Sequence, residues 1–337
     1  MVHFPSPALA ALIAALVLAV SYAGTRALIG ALSSRAILDH PNDRSSHDAP
    51  TPRGAGIAVL AALLPAWLFI GATTENALEG MPYVLAIALA LAVVSWADDR
   101  RGLGAASRLA VQGPCVAIAL VLAPFPAPVF GGLFPAFLDI AATAFLWLWF
   151  INLFNFMDGI DGIAGVETAA IGLGVFVAAK IGNLDDHWLA LGLTASAAAV
   201  GFLRWNWHPA KIFLGDVGSI PLGFLLGWLL LSLAAAGHPA PAVILPLYFL
   251  ADATITLFRR LVRGDKIWEA HREHFYQIAV RSGLRHDQVS GIVAVANLFL
   301  VALAMVAMRG LPWPALFGAT GATILLLFLL AKGGPTE

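Results

Sequence analysis

One cysteine among 337 residues, Cys115, excludes an intramolecular disulfide. Charge is scarce too: Asp, Glu, Lys and Arg make up 12% of the chain, roughly half the share of a soluble domain. No glycine-rich phosphate loop ending in Lys-Ser or Lys-Thr is present, which removes support for a P-loop ATPase. There is no His/Cys constellation at zinc spacing, no repeat of fixed period and no low-complexity tract. The net charge of −1 gives no reason to expect a nucleic-acid partner. The first apolar run lacks a basic stretch ahead of it and is followed by ten more, so it is expected to be an uncleaved first helix and not a signal peptide.

What the chain has is apolar length. Hydrophobic residues make up 60% of it, and the mean hydropathy is +0.85. Runs of about 17–25 residues, enough to cross a bilayer, recur from end to end. The expected fold is an all-α integral membrane protein: a polytopic bundle of about eleven transmembrane helices, forming one domain over residues 1–337. The spans are expected near 7–26, 55–72, 82–97, 109–124, 137–155, 163–182, 188–204, 217–235, 240–258, 288–308 and 312–331. All but two of the 19 Lys and Arg residues, Lys180 and Arg309, fall after spans 1, 3, 5, 7 and 9 or at the C-terminus. The positive-inside bias makes those loops cytosolic, with the N-terminus outside and the C-terminus in the cytosol.

The polar clusters then face the cytosol. The central one is WLWFINLFNFMDGIDGIAG, Trp147 to Gly165, where Asn152, Asn155, Asp158 and Asp161 recur every three residues. Ionisable and amide groups at a span boundary are costly and point to function, although interhelical hydrogen bonding is the bland reading of the asparagines. The glycines after Met157 should end the helix and turn Asp161 back over the cytosolic mouth. Span 3 ends in SWADDR; its adjacent Asp98 and Asp99 cannot share a helix face. In KIFLGDVGSIPLGF, Asp216 stands between glycines at the start of span 8, as a cap or as a ligand for a hard cation. The first loop holds Arg44, His47 and Arg53, with Gly54 and Gly56 expected to leave backbone N–H groups open to a phosphate. In the longest inner loop, His271 and His274 flank Arg272 at a spacing that would share a helix face, and the surrounding cations favour an anion. Asp252, inside span 9, is expected to pair with Arg259 two turns on.

In order, PNDRSSHDAPTPRGAGI, ADDR, NLFNFMDGIDG, FLGDVGS and HREHFYQ resemble the polyprenyl-phosphate N-acetylhexosamine-1-phosphate transferases. These initiate O-antigen and teichoic-acid synthesis and have the MurNAc-pentapeptide phosphotransferase as a cousin. The HREHFYQ ending is closer to the O-antigen branch, and Ala55 stands where many members have a third glycine. The resemblance implies attack of undecaprenyl phosphate on the β-phosphorus of a UDP-N-acetylhexosamine, with release of UMP, in the bacterial inner membrane. It implies Mg²⁺, with Mn²⁺ as a substitute, held by Asn155 and Asp216. Asp98 and Asp99 would lie by the lipid phosphate as catalytic groups, together with Asp158. Asp161 would lie near the uracil, and Asn152, Arg44, Arg53, His271, Arg272 and His274 on the substrate. Such enzymes often form homodimers. The rival from another class is a secondary transporter, for which multiple spans and the intramembrane Asp252 are compatible features.

Overall fold

A computed structural model describes residues 7–41, 49–74, 80–101, 104–266, 268–269 and 271–333. The apolar runs form helices because a backbone amide at bilayer depth has no water to bond and must be satisfied within its own segment. They are α1 (Pro7–Ser33), α2 (Gly56–Thr73), α3 (Met81–Arg101), α4 (Ala105–Leu122), α5 (Ala136–Met157), α6 (Ile163–Gly182), α7 (Asp186–Asn206) and α8 (Asp216–Ala235). The order continues with α9 (Pro239–Ile244), α10 (Leu247–Val262), α11 (Phe275–Arg281), α12 (His286–Met308) and α13 (Pro312–Lys332). Among the described residues ten helices are long and apolar enough to cross a membrane: α1 to α8, α12 and α13. This is an all-α, multi-pass membrane protein.

One expected span is not a single helix. Residues 240–258 fall on α9 and α10, parted at Leu245 and Pro246. Pro246 has no N–H for the helical ladder, and its ring crowds the carbonyl of the preceding turn. One helix also runs further than hydropathy suggests. α1 continues to Ser33, so Arg26 sits on a helix, its guanidinium 5.7 Å from the Trp205 ring centre. Long basic side chains of this kind keep their stems on apolar surface while the charge reaches the interface.

α8 is buried along nearly its whole length, and packs between α3 and α5. α6 lies between α7 and α12, while α1 and α2 pack on α7. Lipid supplies no hydrophobic drive between helices, so close backbone approach and interhelical polar bonds carry the association. A Cβ at Gly56 would lie 2.2 Å from the Cα of Gly218, so α2 and α8 start in backbone contact. Trp147 Nε1 donates to the Phe224 carbonyl at 2.9 Å, and Trp67 Nε1 to Thr194 Oγ1 at 3.1 Å. A two-residue antiparallel pair, β1 (Leu38–Asp39) and β2 (Thr51–Pro52), closes the base of the first loop.

Candidate active site at the helix ends

The first loop and the start of α8 are joined through their backbones. Phe213 N donates to the Pro52 carbonyl at 2.8 Å. Gly54 N and Ala55 N both donate to the Phe213 carbonyl at 3.0 Å, and Gly56 N donates to the Leu214 carbonyl at 3.0 Å. These N–H groups are therefore spent on the neighbouring segment, and the expectation that they stand open to a phosphate is corrected. Their function is to dock Arg53 onto the α8 N-terminus. Ala55 sits at φ −59°, an ordinary right-handed conformation that needs no glycine.

Asp216, the first residue of α8, is the hub. Arg53 Nη2 lies 2.6 Å from its Oδ1 and 2.9 Å from Asp99 Oδ1. Asp99 in turn accepts from the backbone of α8, Oδ1 from Asp216 N at 3.1 Å and Oδ2 from Val217 N at 3.0 Å. A carboxylate from α3 thus caps the orphan N–H groups and the positive dipole end of α8. Asp98 faces away, as adjacent helical residues must. Its Oδ2 accepts from Arg108 Nε at 2.6 Å, and Arg108 Nη2 lies 3.0 Å from Asp216 Oδ2. That last contact is one of charge without hydrogen-bond geometry, and it leaves a buried carboxylate oxygen with no hydrogen bond. Asn155 Nδ2 donates to Asp216 Oδ1 at 3.2 Å and to Ser219 Oγ at 2.8 Å. Sequence reasoning found Asp98, Asp99, Asn155 and Asp216, but missed Arg108 and Ser219. The short segment between α3 and α4 was the one signal that Arg108 could fold back on Asp98.

Asp158 caps the end of α5 beside this group. Burial, against the pull of Arg53 and with the push of Asp216, Asp99 and Asp161, holds its carboxyl well above the usual range. For Arg53, burial works against the charge, but Asp216 and Asp99 outweigh it and raise its pKa. Asn152, a turn deeper, has the bland role: its Nδ2 donates to Gln112 Oε1 on α4 and to the Leu148 carbonyl, both at 2.8 Å. Arg44 and His47 lie outside the described residues.

Beyond α5 the glycine turn forms where the sequence places it. Gly162 adopts φ +84°, and its N–H donates to Asn206 Oδ1 at 2.9 Å. Asp161 is thereby brought to a pair of histidines that the motifs did not signal. Its Oδ2 lies 2.7 Å from His208 Nδ1 and accepts from Ala210 N at 3.1 Å. Its Oδ1 lies 3.3 Å from His286 Nδ1. Burial is outweighed here by His286 and His208, and the carboxyl is held below its ordinary range. Asp161, His208 and His286 present ligand atoms within 4.8 Å of one another. Two imidazoles suit a borderline transition metal, whereas the oxygen donors around Asp216 suit Mg²⁺.

The HREHFYQ segment reaches the same mouth by a different route from the one expected. His271 and His274 are not on a helix, because α11 begins at Phe275; a turn still sets their ring centres 4.8 Å apart. Asp252 holds this turn and does not pair with Arg259. It lies 3.1 Å from His274 Nδ1, and accepts from Phe275 N at 3.0 Å and Tyr276 N at 3.3 Å. Arg259 instead lies over the Phe275 ring at 5.5 Å. Tyr276 donates to the Phe156 carbonyl at 3.0 Å, and a Cβ at Gly159 would meet the Tyr276 hydroxyl at 2.1 Å. The loop is thus docked on the Asp158 turn. Burial, with the neighbouring His274 and Arg260, pushes His271 down to about 4, so its imidazole is neutral at physiological pH. Arg272 lies between the two histidines, and no ion pair holds its guanidinium among the described residues.

Comparison with known proteins shows what the chain is similar to. Residues 81–234, from α3 through α8, match glycosyl transferase family 4. A probable undecaprenyl-phosphate N-acetylglucosaminyl 1-phosphate transferase of Bacillus subtilis is 27% identical over 289 residues, 83% of this chain and 80% of the relative. A decaprenyl-phosphate N-acetylglucosaminephosphotransferase of Mycobacterium leprae is 28% identical over 305 residues, 78% and 75% of the two chains. An undecaprenyl-phosphate alpha-N-acetylglucosaminyl 1-phosphate transferase of Escherichia coli K12 is 25% identical over 293 residues, 80% and 76% of the two. The matched residues carry Asp98, Asp99, Asn155, Asp158, Asp161 and Asp216 on the helix ends that meet here. Over α3 to α8 the chain is thus similar to glycosyl transferase family 4, and over most of its length to polyprenyl-phosphate N-acetylglucosamine-1-phosphate transferases.

Proposed function

We propose that the protein transfers N-acetylhexosamine-1-phosphate from a UDP-sugar to undecaprenyl phosphate, the first membrane step of a cell-surface polysaccharide. The observation that carries this is the hub at Asp216, where Arg53 and Arg108 stand among Asp98, Asp99 and Asn155 at the cytosolic mouth. A phosphate oxygen of the lipid attacks the β-phosphorus, the bond to the bridging oxygen breaks, and UMP leaves with that electron pair.

Both partners are anionic, so charge neutralisation and alignment carry the rate, as in other phosphoryl transfers. Asn155 and Asp216 would hold Mg²⁺, or Mn²⁺ in its place: the donors are oxygens, and Asp216 Oδ2 is a buried carboxylate oxygen without a hydrogen bond. When bound, the ion supplies neutralisation of the pyrophosphate oxygens. Arg53 and Arg108 offer planar guanidinium forks to the phosphates. Asp98, paired with Arg108, positions the acceptor. A phosphate monoester has a second pKa of about 6, so the nucleophile is already a dianion near neutral pH and needs little base catalysis. Asp99 keeps the α8 N-terminus in place. Asp161, oriented by His208 and His286, lies on the nucleotide side. His271 and Arg272, in the turn that Asp252 fixes through His274, flank the sugar-nucleotide phosphates.

In this reading the protein works in the bacterial inner membrane, and crosslinking in native membranes tests the homodimer. The decisive experiment gives purified protein undecaprenyl phosphate, Mg²⁺ and a panel of UDP-sugars, and reads the lipid product by mass. Lipid diphosphate-sugar with matching UMP is the expected result. Product from UDP-MurNAc-pentapeptide alone would move the protein to the pentapeptide branch. Solute flux in liposomes without any lipid product would make it a transporter.

A further inference from the structure

Glu167, on α6, is fully buried, and sequence motifs gave it no role. Its Oε2 accepts from Asn297 Nδ2 of α12 at 2.7 Å. Its Oε1 and the Asn297 Oδ1 are both buried without a hydrogen-bond partner. An ionised Glu167 would leave two acceptors unpaired inside the membrane, where each is costly. Turning the Asn297 amide over does not help, since its oxygen would then face a carboxylate oxygen. A single proton resolves both defects: a protonated glutamic acid has one O–H to donate, and the amide carbonyl is an acceptor.

We propose that Glu167 is carried as a neutral carboxylic acid closing a two-way hydrogen-bonded ring with Asn297, and that this ring positions Asp161. α6 and α12 both start at the cytosolic face, and His286, Ser290 and Asn297 share one side of α12. Ser290 Oγ donates to the Asp161 carbonyl at 2.7 Å, and His286 faces the Asp161 carboxylate. Asn297 and Glu167 lie deeper along the same seam, where they lock one helix against the other. Glu167 is a positioning residue and touches no substrate. The link to Asp161 rests on the nucleotide-side role proposed above; the protonation does not.

The test uses the full chain in lipid nanodiscs. Infrared spectra at neutral pH should contain the C=O stretch of a protonated carboxyl that disappears in Glu167→Gln. That variant should keep its Tm, because two amides close the same ring without a proton. Asn297→Leu should lower the Tm and raise KM for the sugar nucleotide several-fold, with a smaller change in kcat. Absence of a Glu167-dependent acid band overturns the protonated ring. A band with unchanged KM in Asn297→Leu overturns the link to Asp161. If no UDP-sugar is turned over at all, the band and the Tm still decide the ring, so its failure and that of the functional reading are separable.

Discussion

Asp216 makes four kinds of contact, and each can be removed separately. Asp216→Asn keeps the volume but loses the negative charge that Arg53 and Arg108 face. It should lower kcat for UMP release by about 100-fold or more while α8 stays folded, which circular dichroism and turnover at saturating Mg²⁺ would check. Near-normal turnover at low Mg²⁺ would remove Asp216 from the metal. Arg108→Gln should cost a similar factor, because Asp98 and Asp216 then lose their shared cation. Asp98→Asn separates positioning from base catalysis. With the acceptor phosphate ionising at about pH 6, a positioning role predicts the same loss at acid and alkaline pH, whereas recovery at alkaline pH would favour a base. At this scale the sequence pointed to the acids and asparagines, since polar groups at a span boundary have few bland uses. It did not point to Arg108, His208 or His286, because a lone cation or histidine beside a cytosolic helix end is what any membrane protein carries.

The elements carry two further tests. Gly56→Ala would push a methyl group to 2.2 Å from the Cα of Gly218, which side-chain motion cannot relieve. Parting α2 from α8 should cost roughly 1–3 kcal/mol and lower the Tm in detergent; an unchanged Tm would mean that the helices are not in backbone contact. The HREHFYQ turn gives a pH dependence. His271 ionises at about 4 in the folded protein and 6.5 when free of it. Its contribution to stability is therefore whole above 6.5 and is lost as pH falls toward 4, since the unfolded chain takes the proton first. The Tm of the wild type should fall more steeply across that window than that of His271→Asn. Parallel curves would show that the imidazole is not desolvated. Helix identities were legible from apolar length, but the break at Pro246 and the turn at His271 were not. The hydropathy of α9 and α10 runs on through the proline, and the spacing of His271 and His274 is as suited to a turn as to a helix.

Over the whole molecule, orientation is the property to test. With Cys115→Ser as background, Arg309→Cys should react with an impermeant thiol reagent from outside intact cells, and Lys332→Cys only after permeabilisation; the reverse would invert the bundle. Apolar length alone makes the chain a helical membrane bundle, and the asymmetry of its Lys and Arg residues supplies the orientation that this labelling tests. Those follow from transfer free energy and charge asymmetry, which are sums over residues and need no partner assignment. The tertiary structure decided which groups meet: Asp99 as cap of α8, Arg53 docked through Phe213, Asp252 as anchor of the histidine turn, and Glu167 facing Asn297. The central cluster, on α5 and the turn after it, was divided by the same means, with Asn152 turned to Gln112, Asn155 to Asp216, and Asp161 to His208 and His286. Three residues of spacing specify a rotation about the helix axis, but only packing against neighbouring helices determines what each rotation faces.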